Sequence, residues 1–67
     1  MSTVKLLTLE QVLEKTTLSR STIYAHMDEG IFPRPVKFGP HHVSRVRWIE
    51  KEVDEWIQAA IDRRDAL

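Results

Sequence analysis

The chain has 67 residues, no cysteine, and ten basic residues against ten acidic ones. A chain this short buries only roughly 60% of its unfolded surface, so we expect a single domain over residues 1–67, ordered at about 5–64, with no room for a catalytic cleft beside its core. The lack of cysteine excludes a disulfide framework and a thiolate metal site. The sequence has neither a signal peptide nor an apolar run long enough to span a bilayer, so we expect a cytoplasmic protein without a membrane partner.

The segment after Thr8 predicts a first helix with a clear start. Thr8 and Gln11 match a capping box, in which each side chain bonds the backbone amide of the other residue. Leu7 and Val12 have the spacing of a hydrophobic staple across this start. The buried stripe of the helix is expected to be Leu9, Val12 and Leu13.

A second helix is predicted after a tight turn at residues 16–18, in which Leu18 is the apolar residue expected to pack inward. Ser19 is a good N-cap residue, and Gly30 supplies the left-handed residue that closes the helix. Small hydroxyl side chains surround Arg20 at the start of this helix. Two short helices joined in this way are typical of a helix-turn-helix that binds DNA.

The next segment changes character, because Pro33 and Pro35 prevent a continuing helix and favour an extended connector. Residues 36–38 and 44–48 then alternate apolar and basic side chains with period two, separated by a turn, and predict a two-stranded hairpin or wing. The alternation predicts that the basic side chains point away from the core, and that the apolar ones pack inward. The inward set is Val36, Phe38, Val46 and Trp48, and the outward set is Lys37, Arg45 and Arg47.

From about Lys51 the apolar residues follow helical spacing and predict a third amphipathic helix that clamps the core. Its stripe comprises Val53, Trp56, Ile57, Ala60 and Ile61. The predicted fold class is therefore mainly α with a small β-hairpin, that is, a winged helix-turn-helix with three helices and a two-stranded wing.

The charge is unevenly distributed along the chain. Residues 15–49 carry six basic and two acidic side chains, a net charge of +4, whereas residues 1–14 carry −1 and residues 50–67 carry −3. A basic middle segment is the electrostatic footprint expected of a nucleic-acid-binding surface. With only six cations, the salt-dependent part of the affinity should be modest.

Three segments carry a family resemblance: LSRSTIY, FPRPVKFG and the VRW that precedes the third helix. Together they resemble the AlpA-type prophage regulators, small relatives of the excisionase and MerR-like winged-helix domains, over roughly residues 5 to 61. The resemblance implies sequence-specific binding to double-stranded DNA of a phage or mobile element. It implies either transcriptional regulation, for example of an integrase gene, or excisive recombination, with a recombinase or RNA polymerase as possible protein partner.

The chain departs from the family pattern in two places. Family members often carry basic residues where this chain has Ala25 and Asp28, so the outward face of the second helix is poor in cations. The turn at residues 39–43 also holds about two or three residues more than is usual in the family. This longer tip either reaches further along a groove or is merely mobile.

The candidate DNA-binding residues belong to the second helix and the wing. Arg20 and its neighbouring hydroxyls suit contacts with phosphates and base edges, Tyr24 can bond a phosphate, and Ala25 can touch a thymine methyl. Basic wing residues suit phosphate or minor-groove contacts. The full set is Ser19, Arg20, Ser21, Thr22, Tyr24, Ala25, Lys37, His41, Arg45 and Arg47.

Several residues have a simpler explanation. Ser19 is explained by capping alone, and the wing arginines could serve only to discourage edge pairing of strands. His26, His41 and His42 lack the thiolate or carboxylate pattern of a metal site, and no cofactor is implied. Trp48 and Trp56 fall on the apolar phase of their elements, which favours a core role over base stacking.

The sequence therefore predicts a DNA-binding regulator and not an enzyme, since it has no phosphate loop and no nucleophile with a fitting base. A protein–protein adaptor that uses the same fold without DNA remains the alternative. One winged domain contacts only a short site, so we expect a monomer or weak dimer that assembles cooperatively on DNA.

Overall fold

A computed structural model describes residues 3–39 and 45–66. In chain order its elements are β1 (Leu6–Leu7), α1 (Leu9–Thr16), α2 (Arg20–Asp28), β2 (Val36–Lys37), β3 (Val46–Ile49) and α3 (Glu50–Asp65). The described part thus contains the three helices that the sequence predicts. None of them is both long and apolar enough to cross a membrane.

Helix α1 begins at the predicted capping box. The Gln11 amide donates to the Thr8 hydroxyl at 3.2 Å, and the Thr8 amide donates to the Gln11 side-chain oxygen at 2.9 Å. The helix ends where Thr17 adopts a left-handed conformation with φ 61°, and the Thr17 amide donates to the carbonyl of Leu13. This single left-handed residue turns the chain sharply enough for α2 to start three residues later.

Helix α2 starts at Ser19, whose hydroxyl accepts from the Thr22 amide, as predicted. It is closed by Gly30 at φ 74°, a conformation that glycine adopts without steric cost. The amides of Ile31 and Phe32 then both donate to the carbonyl of His26. The connector is therefore attached to the last turn of α2 by backbone hydrogen bonds.

The sheet has three strands in the described residues, in the order β1-β3-β2, and both pairings are antiparallel. The prediction of a two-stranded wing was wrong in this respect, because β1 adds a strand on the other side of β3. Leu7 lies opposite Trp48, and the Glu50 amide donates to the carbonyl of Lys5 at 2.9 Å. A strand of two residues has no alternation to reveal it in the sequence.

The register of the hairpin also differs from the prediction. Val36 lies opposite Arg47, and Lys37 lies opposite Val46. Because directly opposed residues share one face of a sheet, Val36 lies with Arg47 on the outer face, whereas Lys37 shares the face of Val46. Phe38 continues this pattern, since its amide donates to the carbonyl of Arg45. The inward placement of Val36 and Phe38, and the outward placement of Lys37, were therefore wrong.

The packing of the helices against the sheet explains why the β2 side chains face differently from the prediction. Helices α1 and α3 contact β3, whereas the principal neighbour of β2 is β3. No large helical surface is thus available to bury the side chains of β2, and Phe38 is 58% exposed. Alternation alone fixes the phase within one strand, but the choice of face depends on the packing partner.

The core lies between the helices and the inner face of β3. It comprises Leu7, Val12, Ile23, Phe32, Trp48 and Val53. The predicted core role of Trp48 is confirmed, since this residue is fully buried. Trp56 is partly buried and packs against the core, with its ring 4.9 Å from that of Phe32 in an edge-to-face arrangement.

Candidate nucleic-acid interface

The start of α2 exposes a compact polar surface. Ile23 is fully buried and fixes the rotation of the helix against the core. The opposite side carries Arg20, Ser21, Tyr24 and Ala25, all exposed, with Tyr24 at 43%. One face of α2 therefore holds the helix in place while the other presents four of the candidate contacts to solvent.

The hydroxyls of Ser19 and Thr22 bond to each other at 2.9 Å, in addition to the cap bond. Either oxygen can be the donor, so one of the two hydroxyl hydrogens stays free for another acceptor. Thr22 is half-buried, whereas Ser19 is exposed. Both residues therefore order the first turn of α2, and together they retain one donor for a phosphate.

The wing cations occupy two different faces. Lys37 is exposed at the α2 side, and Arg45 is exposed near the tip of the hairpin. Arg47 is half-buried and its guanidinium donates to the carbonyl of Val46 at 2.7 Å. That bond leaves the other guanidinium N–H groups of Arg47 available. Contrary to the prediction, the three cations do not form one row on the outer face.

Two further predictions concern the tip of the wing. His41, a candidate DNA contact, lies outside the described residues, as does His42. The extended turn is described only at its first residue, Gly39. The proposed role of this tip stays a prediction.

Lys15 lies apart from the other cations of the middle segment. Its Nζ is 2.8 Å from a carboxylate oxygen of Asp54 and 3.2 Å from one of Glu50. The hydrogen bonds to Asp54 and Glu50 raise the pKa of Lys15 above its ordinary 10.5, and the bond to Asp54 has the larger effect. Lys15 therefore joins α1 to α3, and the predicted basic surface has five cations instead of six.

Arg34 is a cation that the candidate set omits. It is exposed on the connector and lines a cleft with Tyr24, Asp28 and Lys37. Its position between two prolines was the available signal, because flanking prolines hold a short exposed segment in one conformation. The cleft itself could not be predicted, since it depends on the hairpin register.

The family model described as Prophage CP4-57 regulatory protein (AlpA) matches residues 5–61. The chain belongs to the AlpA family. The match extends from the residue before β1 to within α3, so it covers the helix pair, the connector, the hairpin and most of the last helix.

A curated AlpA-family relative agrees with this assignment. The chain is 37% identical over 62 residues to the DNA-binding transcriptional activator AlpA of Escherichia coli strain K12, a match that covers 84% of each chain. Both names describe regulatory proteins. No solved structure is a significant match.

Proposed function

We propose that this protein is a sequence-specific DNA-binding transcriptional regulator of a prophage or mobile element. The observation that carries the proposal is the exposed polar face at the start of α2, held outward by the buried Ile23, in a chain of the AlpA family. The DNA-binding activity named for the relative of E. coli supports it. The three helices and the sheet are compatible with a winged helix-turn-helix.

In this proposal α2 enters the major groove with its N-terminal turn. Arg20 suits a bidentate contact with guanine or a phosphate, Ser21 suits either, and Ala25 suits a thymine methyl. Tyr24 donates its hydroxyl to a backbone phosphate. The free backbone amides of the first turn favour an anion at the same end of the helix.

The hairpin contacts the DNA beside α2. Arg45 and Arg47 follow the backbone or the adjacent minor groove, where cations are favoured by the negative potential. Lys37, on the other face, contacts the strand that lies nearer to α2. Ser19 and Thr22 act mainly by ordering the first turn, with one hydroxyl hydrogen left for a phosphate.

We further propose that single copies assemble cooperatively on DNA, because one small domain covers too short a site for useful specificity. In solution the protein is then a monomer or weak dimer, and sedimentation without DNA tests this. A tight dimer at low protein concentration would contradict it. The same docking surface would serve promoter regulation and excision. The position of the binding site in the genome distinguishes these two roles.

The proposal is tested by incubating the protein with sheared genomic DNA from its source and sequencing the fragments that stay bound at moderate salt. Enrichment of a locus upstream of an integrase gene is expected for a transcriptional regulator, and enrichment at the end of an integrated element for an excision factor. Arg20→Gln should abolish the enrichment, whereas Arg63→Gln, at an exposed position of α3, should preserve it. Uniform recovery of fragments would contradict sequence-specific binding.

The adaptor alternative is supported by the low positive charge of α2 around Ala25 and Asp28. Salt separates the two functions, because phosphate contacts weaken steeply as salt rises. A protein interface centred on Tyr24 and its apolar neighbours would persist at high salt.

A further inference from the structure

A cleft of about 270 Å³ separates the second half of α2 from the connector and β2. Its apolar wall is formed by Met27, Pro35 and Val46. Its polar groups are Tyr24, Asp28, Arg34 and Lys37, and three of them carry a formal charge. Both cations are exposed, and they line the cleft together with residues of α2.

The connector that carries Arg34 has no regular secondary structure, yet it is held at several points. The indole nitrogen of Trp48 donates to the carbonyl of Pro33 at 3.0 Å, and that of Trp56 donates to the carbonyl of Ile31 at 2.8 Å. The chain has only these two tryptophans, and each donates its single indole N–H to this segment.

Phe32 strengthens the attachment, because its side chain is 3% exposed and belongs to the core. Pro33 and Pro35 restrict the backbone on both sides of Arg34. The guanidinium therefore extends from a fixed base, so less conformational entropy is lost when it binds a ligand.

Lys37 reaches the same cleft through the register of the hairpin. Because it lies opposite Val46, it shares the face of β3 that packs against the core, and both residues line the cleft beside α2. A register shifted by one residue would place Lys37 with Arg47 on the outer face instead. The pairing thus brings two cations from different segments to one cleft.

We propose that this cleft binds one phosphodiester group of the DNA backbone, with Arg34 and Lys37 as its cations and the Tyr24 hydroxyl as a further donor. The inference rests on the DNA binding proposed above and adds a ligand site at the junction of helix and wing. Among residues 3–39 and 45–66, the ion pairs within 4.0 Å leave Arg34 and Lys37 without a carboxylate partner. Both are therefore available to an external anion.

The formal charge of the cleft matches this ligand. Two cations and the carboxylate of Asp28 leave a charge of +1, which suits the single negative charge of a phosphodiester. One sugar–phosphate backbone separates the major groove of a duplex from the adjacent minor groove. With α2 in the major groove and the wing at the minor groove, that backbone would lie at the junction between them. The cleft is located at that junction, between α2 and the hairpin.

The test measures binding of the whole protein to a labelled duplex by fluorescence anisotropy over a series of salt concentrations. Arg34→Gln is expected to weaken binding to all sequences alike and to reduce the slope of log affinity against log salt by about 1. Arg34→Lys should retain most of the slope. Arg63→Gln is the matched control, since it removes an exposed arginine from α3, and it should leave affinity and slope unchanged.

A second measurement identifies the phosphate. Neutral methylphosphonate groups are placed singly along the duplex. Several positions should weaken the wild type, and at one of them the loss is expected to be clearly smaller for Arg34→Gln than for the wild type. Inorganic phosphate at matched ionic strength should compete no better than chloride. Preferential competition by phosphate would overturn the assignment in favour of a free-phosphate site.

The outcomes separate this site from the function on which it rests. If the wild type fails to bind any duplex at low salt, both proposals fall together. If the wild type binds and Arg34→Gln keeps its affinity and slope while remaining folded, only the cleft assignment falls. Circular dichroism of each variant establishes that it is folded.

Discussion

The indole Nε1 of the fully buried Trp48 donates to the carbonyl oxygen of Pro33, 3.0 Å away. This bond joins the central strand to the connector, and it satisfies the one polar atom of the Trp48 side chain. The stability of the core and the position of Arg34 therefore depend on the same side chain.

Trp48→Phe removes this bond and leaves a small cavity. We expect a loss of at least about 1 kcal/mol in the free energy of unfolding, measured by urea denaturation. Trp56→Phe is the matched control, because it also loses an indole bond to the connector but at a partly buried position, and it should cost less. An equal or larger loss for Trp56→Phe would contradict this order.

Phe38→Ser tests the register of the hairpin. Since Phe38 is 58% exposed on the outer face, the free energy of unfolding should change by less than about 0.5 kcal/mol. Leu7→Ala, in the buried β1–β3 pair, should cost about 2–5 kcal/mol by the same urea measurement. A comparable loss for the two variants would show that Phe38 packs inward after all.

Ser19→Ala removes the side-chain cap of α2 and should destabilise the protein by about 1 kcal/mol in thermal or urea unfolding. Ser19→Asp keeps a good capping oxygen but adds a negative charge beside the proposed DNA contacts. We expect Ser19→Asp to unfold close to the wild type while its DNA affinity falls. Unchanged DNA affinity would show that Ser19 caps α2 without lying at the DNA interface.

Asp28→Asn should improve both stability and DNA binding. Asp28 is the last residue of α2, where the helix dipole disfavours a negative charge, so its removal should stabilise the fold by about 0.3–1 kcal/mol. Loss of the charge also reduces repulsion of phosphates and should tighten binding to all sequences. Asp62→Asn, in α3, is the control and should leave DNA affinity unchanged. Weaker binding of Asp28→Asn to one sequence alone would indicate a base contact instead.

Lys15 gives a prediction for the dependence of stability on pH. Because its pKa is raised above 10.5 in the folded protein, its stabilising contribution is fully present below that pH and is lost as pH rises through the folded value. The difference in unfolding free energy between the wild type and Lys15→Met should thus be constant near neutral pH and shrink in strongly alkaline solution.

Lys51→Met is the control for this titration, because among the described residues Lys51 forms no ion pair within 4.0 Å. The difference in unfolding free energy between the wild type and Lys51→Met should not shrink in the same way in strongly alkaline solution. The salt dependence of DNA binding should be unchanged in Lys15→Met, since this lysine faces α3. A reduced slope of log affinity against log salt would show that Lys15 does belong to the DNA-binding surface.

The local signals in the sequence predicted the helices well. The cap at Ser19, the capping box at Thr8 and the left-handed Gly30 all depend on residues within a few positions of each other, and all are confirmed. The core positions of Val12 and Trp48 followed from periodicity and burial of large apolar side chains.

The errors concern interactions between distant segments. The pairing of β1 with β3 joins Leu7 to Trp48, and no local pattern specifies that partner. The phase of β2 depends on which face the helices cover, and the partners of Lys15 come from α3. The cleft at Arg34 combines both kinds of information, which explains why the sequence indicated a basic segment but not this site.

The distribution of the core along the chain has a consequence for synthesis on the ribosome. Trp48 and Val53 are fully buried in one core with Leu7, Val12 and Ile23, which are translated much earlier. While only α1 and α2 have emerged, Val12 and Ile23 have no central strand to pack against, and helices this short are marginal on their own. The nascent chain should therefore stay unfolded and open to proteases until β3 and α3 have left the exit tunnel, and then fold in one late cooperative step.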